Sequence, residues 1–319
     1  MVPADVRDQI GLGYLFARAA DTIADTDLID RSRRLEFLSQ LKAQFSTDQI
    51  SWSHIRDIQQ ALGPVQQDSS ERVLLERLED CFRLFQECSP EDRRRVQRLM
   101  TTLTQGMEMD LSRFPGKSSE DLVALKTLDE LDRYTYYVAG CVGEFWTDLM
   151  CAHRPALASW NVPHMSAVGV RFGKGLQLTN IVKDTAHDLQ KGRCYIPETM
   201  LAEAGLTPRD LLDPANLPRF RPVLGKLVRM ATEHLDQGWM YAMAIPRSEM
   251  RLRLSCMWPI LSAGESLKLV LHTPDVLHPA IKVKILRSKV YQILALTTFT
   301  GACGYVGTAY WGRLRKQIA

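Results

Sequence analysis

Residues 177–188 read Gln177-Leu-Thr-Asn180-Ile-Val-Lys183-Asp184-Thr-Ala-His187-Asp188. Gln177, Asn180, Asp184 and Asp188 stand at i, i+3, i+7 and i+11, so on an α-helix they form one polar stripe. Leu176, Leu178, Ile181 and Val182 make the same stretch largely apolar. A stripe of oxygen donors inside an apolar helix points to a wet, metal-lined cavity. Working outward, helical periodicity dominates the chain: Leu35, Leu38 and Leu41, then Val73, Leu74, Leu78, Phe82 and Leu84, recur at spacings close to three and four. Long strands are not apparent, so the expected fold class is all-α.

The strongest breaks are Gly63-Pro64, Phe114-Pro115-Gly116, the segment 213–222 and the segment 272–279. None is a Gly/Ser-rich linker, and no repeat of solenoid length is present, so residues 1–319 read as one domain. One echo does occur. Asp21-Thr-Ile-Ala-Asp25 repeats the D-x-x-x-D spacing of Asp184-Thr-Ala-His-Asp188 far away in sequence.

Residues four apart on a helix carry Cβ atoms about 5–6 Å apart, so each pair can aim two carboxylates at one cation. A single pair alone reads better as a solvated helix face with Arg or Lys neighbours. Two pairs, both in apolar helical contexts, require a counter-charge. The donors are all oxygen, with no Cys or His at ligand spacing, which favours a hard cation, and Mg²⁺ is the usual partner of phosphate. His187 falls on a different face and reads as solvated. Carboxylates facing a phosphate-bearing substrate need such a cation, because like charges 4 Å apart repel by about 4 kcal/mol at an effective dielectric near 20. Arg18, Lys183 and Arg193 can add positive charge. Neither a G-x-x-x-x-G-K-[ST] loop nor a strand-borne G-x-G-x-x-G occurs, so kinase-like transfer and a Rossmann domain are unsupported. Metal-assisted loss of diphosphate from carbon remains. The cation left behind needs apolar and aromatic walls, for which Tyr134, Tyr136, Tyr137, Phe145 and Trp146 are candidates.

Composition bounds the alternatives. A hydrophobic fraction of 45% and a charged fraction of 24% are those of a globular protein, and a formal charge of +3 over 319 residues gives no nucleic-acid surface. Seven scattered cysteines without a C-x-x-C pair or a signal peptide read as reduced thiols in the cytoplasm. The stretch from Val290 to Trp311 lacks charge and is long enough to span a bilayer, but Gln292, its threonines and Gly301, Gly304 and Gly307 dilute it. It is expected to be a buried bundle helix.

Four stretches together resemble the squalene/phytoene synthase family. They are Tyr14-Leu-Phe-Ala-Arg18-Ala-Ala-Asp21-Thr-Ile-Ala-Asp25; Gly106-Met-Glu-Met-Asp110; Tyr134-Thr-Tyr-Tyr137-Val-Ala-Gly140-Cys-Val-Gly143; and residues 177–188 followed by Gly192-Arg193-Cys-Tyr195-Ile-Pro197. The resemblance implies an isoprenoid synthase bundle around a central substrate cavity. It assigns Mg²⁺ to Asp21, Asp25, Asp184 and Asp188, and diphosphate positioning to Tyr14, Arg18, Gln177, Asn180, Lys183 and Arg193. It places Tyr134 and Tyr137 at the reacting centre, Tyr137 aiding proton transfer and cation stabilisation. Lys183 stands where arginine is common and loses the bidentate fork. Ala24 replaces an acid found in some members, and the Ser/Phe/Arg-bearing flap segment usual upstream of the first motif is not contained in this chain.

Lys282-Val-Lys284-Ile-Leu-Arg287 is similar to the basic stretch of the squalene branch associated with the nicotinamide reductant, so Lys284 and Arg287 are expected to bind NADPH. A basic helix start on the surface is the alternative for that stretch. The implied reaction joins two farnesyl diphosphates head to head to presqualene diphosphate and reduces it to squalene. The rival is a phytoene or dehydrosqualene synthase, ending without reduction. A non-catalytic assembly factor of the same fold fits poorly, because both Asp pairs are intact. Peripheral membrane contact for release of a lipophilic product accompanies the expectation.

Overall fold

The computed structural model describes residues 3–47, 49–300 and 305–318. They are helical almost throughout, as expected. The strand pairing among them joins β1 (Val123–Ala124) in parallel to β2 (Arg193–Cys194). By contacts the chain forms two compact units, one of residues 3–113 and 148–153, the other of residues 114–147 with the chain from 154 onward.

The first unit contains α1 (Arg7–Asp25), α2 (Arg31–Ser46), α3 (Trp52–Leu62), α4 (Ser69–Glu76), α5 (Leu78–Glu87) and α6 (Pro90–Arg113). Leu12, Phe16, Ala19, Ala20 and Ile23 of α1 are buried, a helical spacing that seats the helix on α2, α5 and α6. Phe16 sits among Phe45, Phe82 and Phe85, with ring centroids 4.6–5.7 Å away. The C-terminal end of α1 is fixed too, since Arg34 Nη1 donates to the Ala24 carbonyl at 2.9 Å inside the core. Ala24 itself is buried.

The second unit holds α7 (Leu128–Thr135), a π-helical turn (Tyr136–Gly140), the start of α8 (Cys141–His153), α9 (Val162–Gln190), α10 (Glu198–Ala202), α11 (Leu217–Ala244), α12 (Met250–His272), α13 (Arg287–Thr300) and α14 (Tyr305–Ile318). The buried stripe of α9, including Leu178, Ile181, Val182 and Leu189, belongs to the longest helix, which packs along α11. Its N-terminal half approaches the π turn and the start of α8 so closely that side chains are excluded. A Cβ on Gly173 would lie 2.3 Å from the Ala139 carbonyl oxygen, and one on Gly143 would lie 2.0 Å from that of Gly169.

The stretch from Val290 to Trp311 departs from the expected buried helix. It is divided between α13 and α14, with residues 301–304, and so Gly301, Cys303 and Gly304, outside the described residues. Among the described residues of α13 a narrow stripe faces inward: Ile293, and Thr297, whose hydroxyl accepts from Trp258 Nε1 at 2.8 Å. Tyr291 and Phe299 are 66% and 90% exposed. Apolar composition alone could not reveal that these rings lie on the other side of the helix from Ile293. Further on, Trp311 is buried and stacks on Trp239. Among the described residues no helix is long and apolar enough to cross a membrane.

Candidate active site

The face of α1 opposite its buried stripe carries Tyr14, Arg18, Asp21 and Asp25 at i, i+4, i+7 and i+11. Arg18 donates through Nη1 to Asp21 Oδ2 at 3.0 Å and through Nη2 to Glu71 Oε1. These groups line a cleft of about 440 Å³ together with Asp25, Asp27 and Gln66. Burial, and then the negative charge of Asp25, push the Asp21 carboxyl above the usual range, and Arg18 offsets this only in part. Tyr14 is strongly exposed on the same face.

On α9 the stripe is again polar. Lys183 Nζ lies 3.2 Å from Asp184 Oδ2 and donates to Asn180 Oδ1 at 3.3 Å, so these three side chains form one cluster. Gln177 and Asp188 are half-buried along the same helix, and His187 is exposed. Arg193 follows after a turn at Gly192, whose φ of 76° is the left-handed region that favours glycine, and where a Cβ would meet the Ser118 carbonyl oxygen at 2.7 Å. Pairing of Val123 with Arg193 then fixes the arginine's backbone.

Both Asp pairs fit a hard divalent cation by donor type. Among the described residues, no three His, Cys, Asp or Glu side chains converge on one point to hold a metal. Each pair thus offers a partial shell, which suits Mg²⁺, an ion bound by one or two carboxylates and completed by phosphate oxygens and water.

The tyrosine motif spans α7 and the π turn, a feature frequent at functional sites. Tyr134 is buried and stacks on Tyr195 at 4.7 Å, while Tyr137 is half-buried with its ring 5.7 Å from that of Tyr136. Tyr136 donates to Glu144 Oε2 at 3.0 Å, and burial followed by that carboxylate pushes its phenol up to about 12. Directly after Tyr137, Val138 and Ala139 border an apolar cavity of about 260 Å³, lined also by Val142, Trp146, Phe172 and Leu176. Leu176 immediately precedes Gln177, so apolar lining and polar stripe meet on α9. Phe145 is buried in the core, whereas Trp146 lines the cavity.

The squalene/phytoene synthase family model matches residues 1–289. The chain belongs to that family. It is 25% identical over 315 residues to the squalene synthase ERG9 of Saccharomyces cerevisiae, covering 99% of this chain and 66% of the relative. It is 26% identical to the squalene synthase of Eremothecium gossypii, covering 98% and 67%. The 15-cis-phytoene synthase of Enterobacter agglomerans is 39% identical over 106 residues, 33% of each chain. The chain thus spans about two thirds of the length of the squalene synthases it matches. In fold it is similar to TcSQS in complex with a ligand, with a TM-score of 0.76, 20% identity and coverage of 99% of this chain and 90% of that one. A dehydrosqualene synthase in complex with ligand gives 0.58, with 21% identity over 93% of this chain and 88% of that one.

Within this member of the squalene/phytoene synthase family, Lys284 and Arg287 are both exposed. Lys284 lies in a non-helical segment, 281–286, and Arg287 opens α13. Solvent-facing cations so placed fit an anionic ligand. Gln66 and Glu71 were not legible beside the first Asp pair. Their only sequence signal is the D-x-x-E pattern of Asp68 and Glu71, which reads as a helix cap.

A pH effect follows from α9. Arg171 Nε donates to His234 Nδ1 at 3.3 Å, and burial, then Arg171, lower the imidazole to about 4. The unfolded chain, with His near 6.5, therefore takes up this proton first as pH falls. Stability present above pH 6.5 is lost progressively toward pH 4, by about 1–2 kcal/mol between pH 7 and 5. Thermal melts at both pH values should show this loss, and His234→Gln should flatten it; an equal slope in the variant rejects the assignment.

Proposed function

We propose that the protein is a squalene synthase, a farnesyltransferase that condenses two farnesyl diphosphates to presqualene diphosphate and reduces that intermediate with NADPH. The observation that carries the chemistry is the pair of helix faces on α1 and α9. Each sets an Asp pair beside a cation, Arg18 in one and Lys183 in the other. Squalene over phytoene is supported by coverage, since squalene synthases match nearly the whole chain and the phytoene synthase a third of it.

In this reading Asp21, Asp25, Asp184 and Asp188 hold Mg²⁺, which when bound neutralises diphosphate and assists its departure. Tyr14, Arg18, Gln177, Asn180, Lys183 and Arg193 bind and orient the diphosphates. The apolar cavity on the second unit accepts an isoprenoid chain and excludes water from the carbocation. Tyr134 braces the motif through its stack on Tyr195, and Tyr137 supplies the hydroxyl that handles the transient proton or cation. Tyr137→Phe should lower kcat about 10–100-fold with little change in KM, since the contact matters chiefly in the transition state. Unchanged turnover would return Tyr137 to a packing role.

The reading includes cytoplasmic location with peripheral membrane contact. From residue 276 onward the chain has seven Lys/Arg and no Asp or Glu, and Leu286, Tyr291 and Phe299 are exposed among them. Co-sedimentation with anionic vesicles, lost on Tyr291→Ser with Phe299→Ser, is the expected result; failure of the parent to sediment rejects the contact. The function itself is tested by incubating purified protein with farnesyl diphosphate and Mg²⁺ alone. Presqualene diphosphate and inorganic diphosphate should form, and chelation by EDTA should stop both. Absence of any condensation product overturns the proposal.

A further inference from the structure

The first turn of α4 is capped in an unusual way. Asp68 is its N-cap and accepts from the backbone N–H groups of Ser70 and Glu71, at 2.9 and 3.0 Å. Glu71 is the third helical residue, whose side chain in a capping box turns back to the backbone N–H of the N-cap residue. Here Gln66 takes that position. Its Oε1 accepts from the Asp68 N–H at 3.2 Å, and its Nε2 donates to Glu71 Oε2 at 3.0 Å. Released from the cap, Glu71 turns its other oxygen to Arg18 Nη2, while Arg18 Nη1 bonds Asp21.

The exposures are unequal. The Glu71 side chain is 20% exposed, against 44% for Arg18 and 47% for Asp21, so the fixed end of the chain of contacts is Glu71. Its negative charge also sits favourably in the first turn of a helix. A free arginine on an open face would sample many rotamers, and ordering it costs conformational entropy.

Resting on the function proposed above, we propose that Glu71 is a positioning residue for that reaction: it anchors the Arg18 guanidinium, with Gln66 holding Glu71 in place, so that Arg18 keeps its remaining donors aimed at the diphosphate. Through this anchor Arg18 stays oriented even when Asp21 is engaged by another partner. Neither Glu71 nor Gln66 needs to touch substrate.

The test is calorimetric binding of inorganic diphosphate in the presence of Mg²⁺, with thermal melts as a control on folding. Glu71→Gln should weaken binding about tenfold. Combined with Arg18→Gln it should weaken binding no further than Arg18→Gln alone, because both act through one group. Gln66→Ala keeps the Glu71 charge but opens the Asp68 N–H to it, so it should weaken binding in the same direction even if Glu71→Gln fails to fold. Parent-like affinity in Glu71→Gln or Gln66→Ala, or additive losses in the double variant, overturns the positioning role while leaving the function intact. A parent that does not bind diphosphate overturns the function proposal and this inference with it.

Discussion

Asp184→Asn should reduce turnover of farnesyl diphosphate by a factor of about 10³ or more while leaving the fold intact, and Asp21→Asn should do the same. Each change removes one formal charge from a two-carboxylate site that has little else to offer a cation. The partner cations do not compensate. Lys183, 3.2 Å from Asp184, and Arg18, 3.0 Å from Asp21, would lose half-exposed ion pairs worth about 0–1 kcal/mol in such settings. At Asp21 the loss is balanced by relief of crowding with Asp25. Melting temperature should therefore hold or rise as activity vanishes. Near-normal turnover of either variant at saturating Mg²⁺ would remove that pair from the metal assignment.

The second large effect concerns the reductant. Lys284 and Arg287 sit on an exposed segment at the start of α13. If both hold phosphates of NADPH, each charge-assisted hydrogen bond contributes about 1.5–3 kcal/mol, so replacing both with alanine should weaken NADPH use about 10²–10⁴-fold. The first half reaction should survive. The double variant is then expected to accumulate presqualene diphosphate at NADPH levels where the parent makes squalene, with partial recovery at excess reductant. Equal NADPH dependence in parent and variant would leave these cations as a basic helix start on the surface.

What was legible in sequence had a period to reveal it. The stripes of α1 and α9 follow from 3.6-residue spacing, and the structure places Arg18 with Asp21, and Lys183 with Asn180, as that spacing requires. The π turn was not legible, because Tyr136–Gly140 follows a helical pattern, while the close approach of Gly173 to Ala139 and Gly140 joins residues far apart in sequence. Glu71 escaped notice because its role depends on Gln66 taking over a capping bond, an exchange between neighbours that no pattern encodes. The outward rings of α13 escaped for a related reason: hydropathy counts apolar residues and does not say which of them find a partner.

The reaction proposed for this protein is a head-to-head condensation ended by hydride transfer. It is tested most directly by giving purified protein farnesyl diphosphate, Mg²⁺ and NADPH carrying deuterium at the transferable position, and measuring the hydrocarbon product by mass spectrometry. The expected product is squalene carrying one deuterium, with none formed when NADPH is omitted. An unlabelled C30 hydrocarbon made equally well without NADPH, or no condensation product at all, would rule that reaction out.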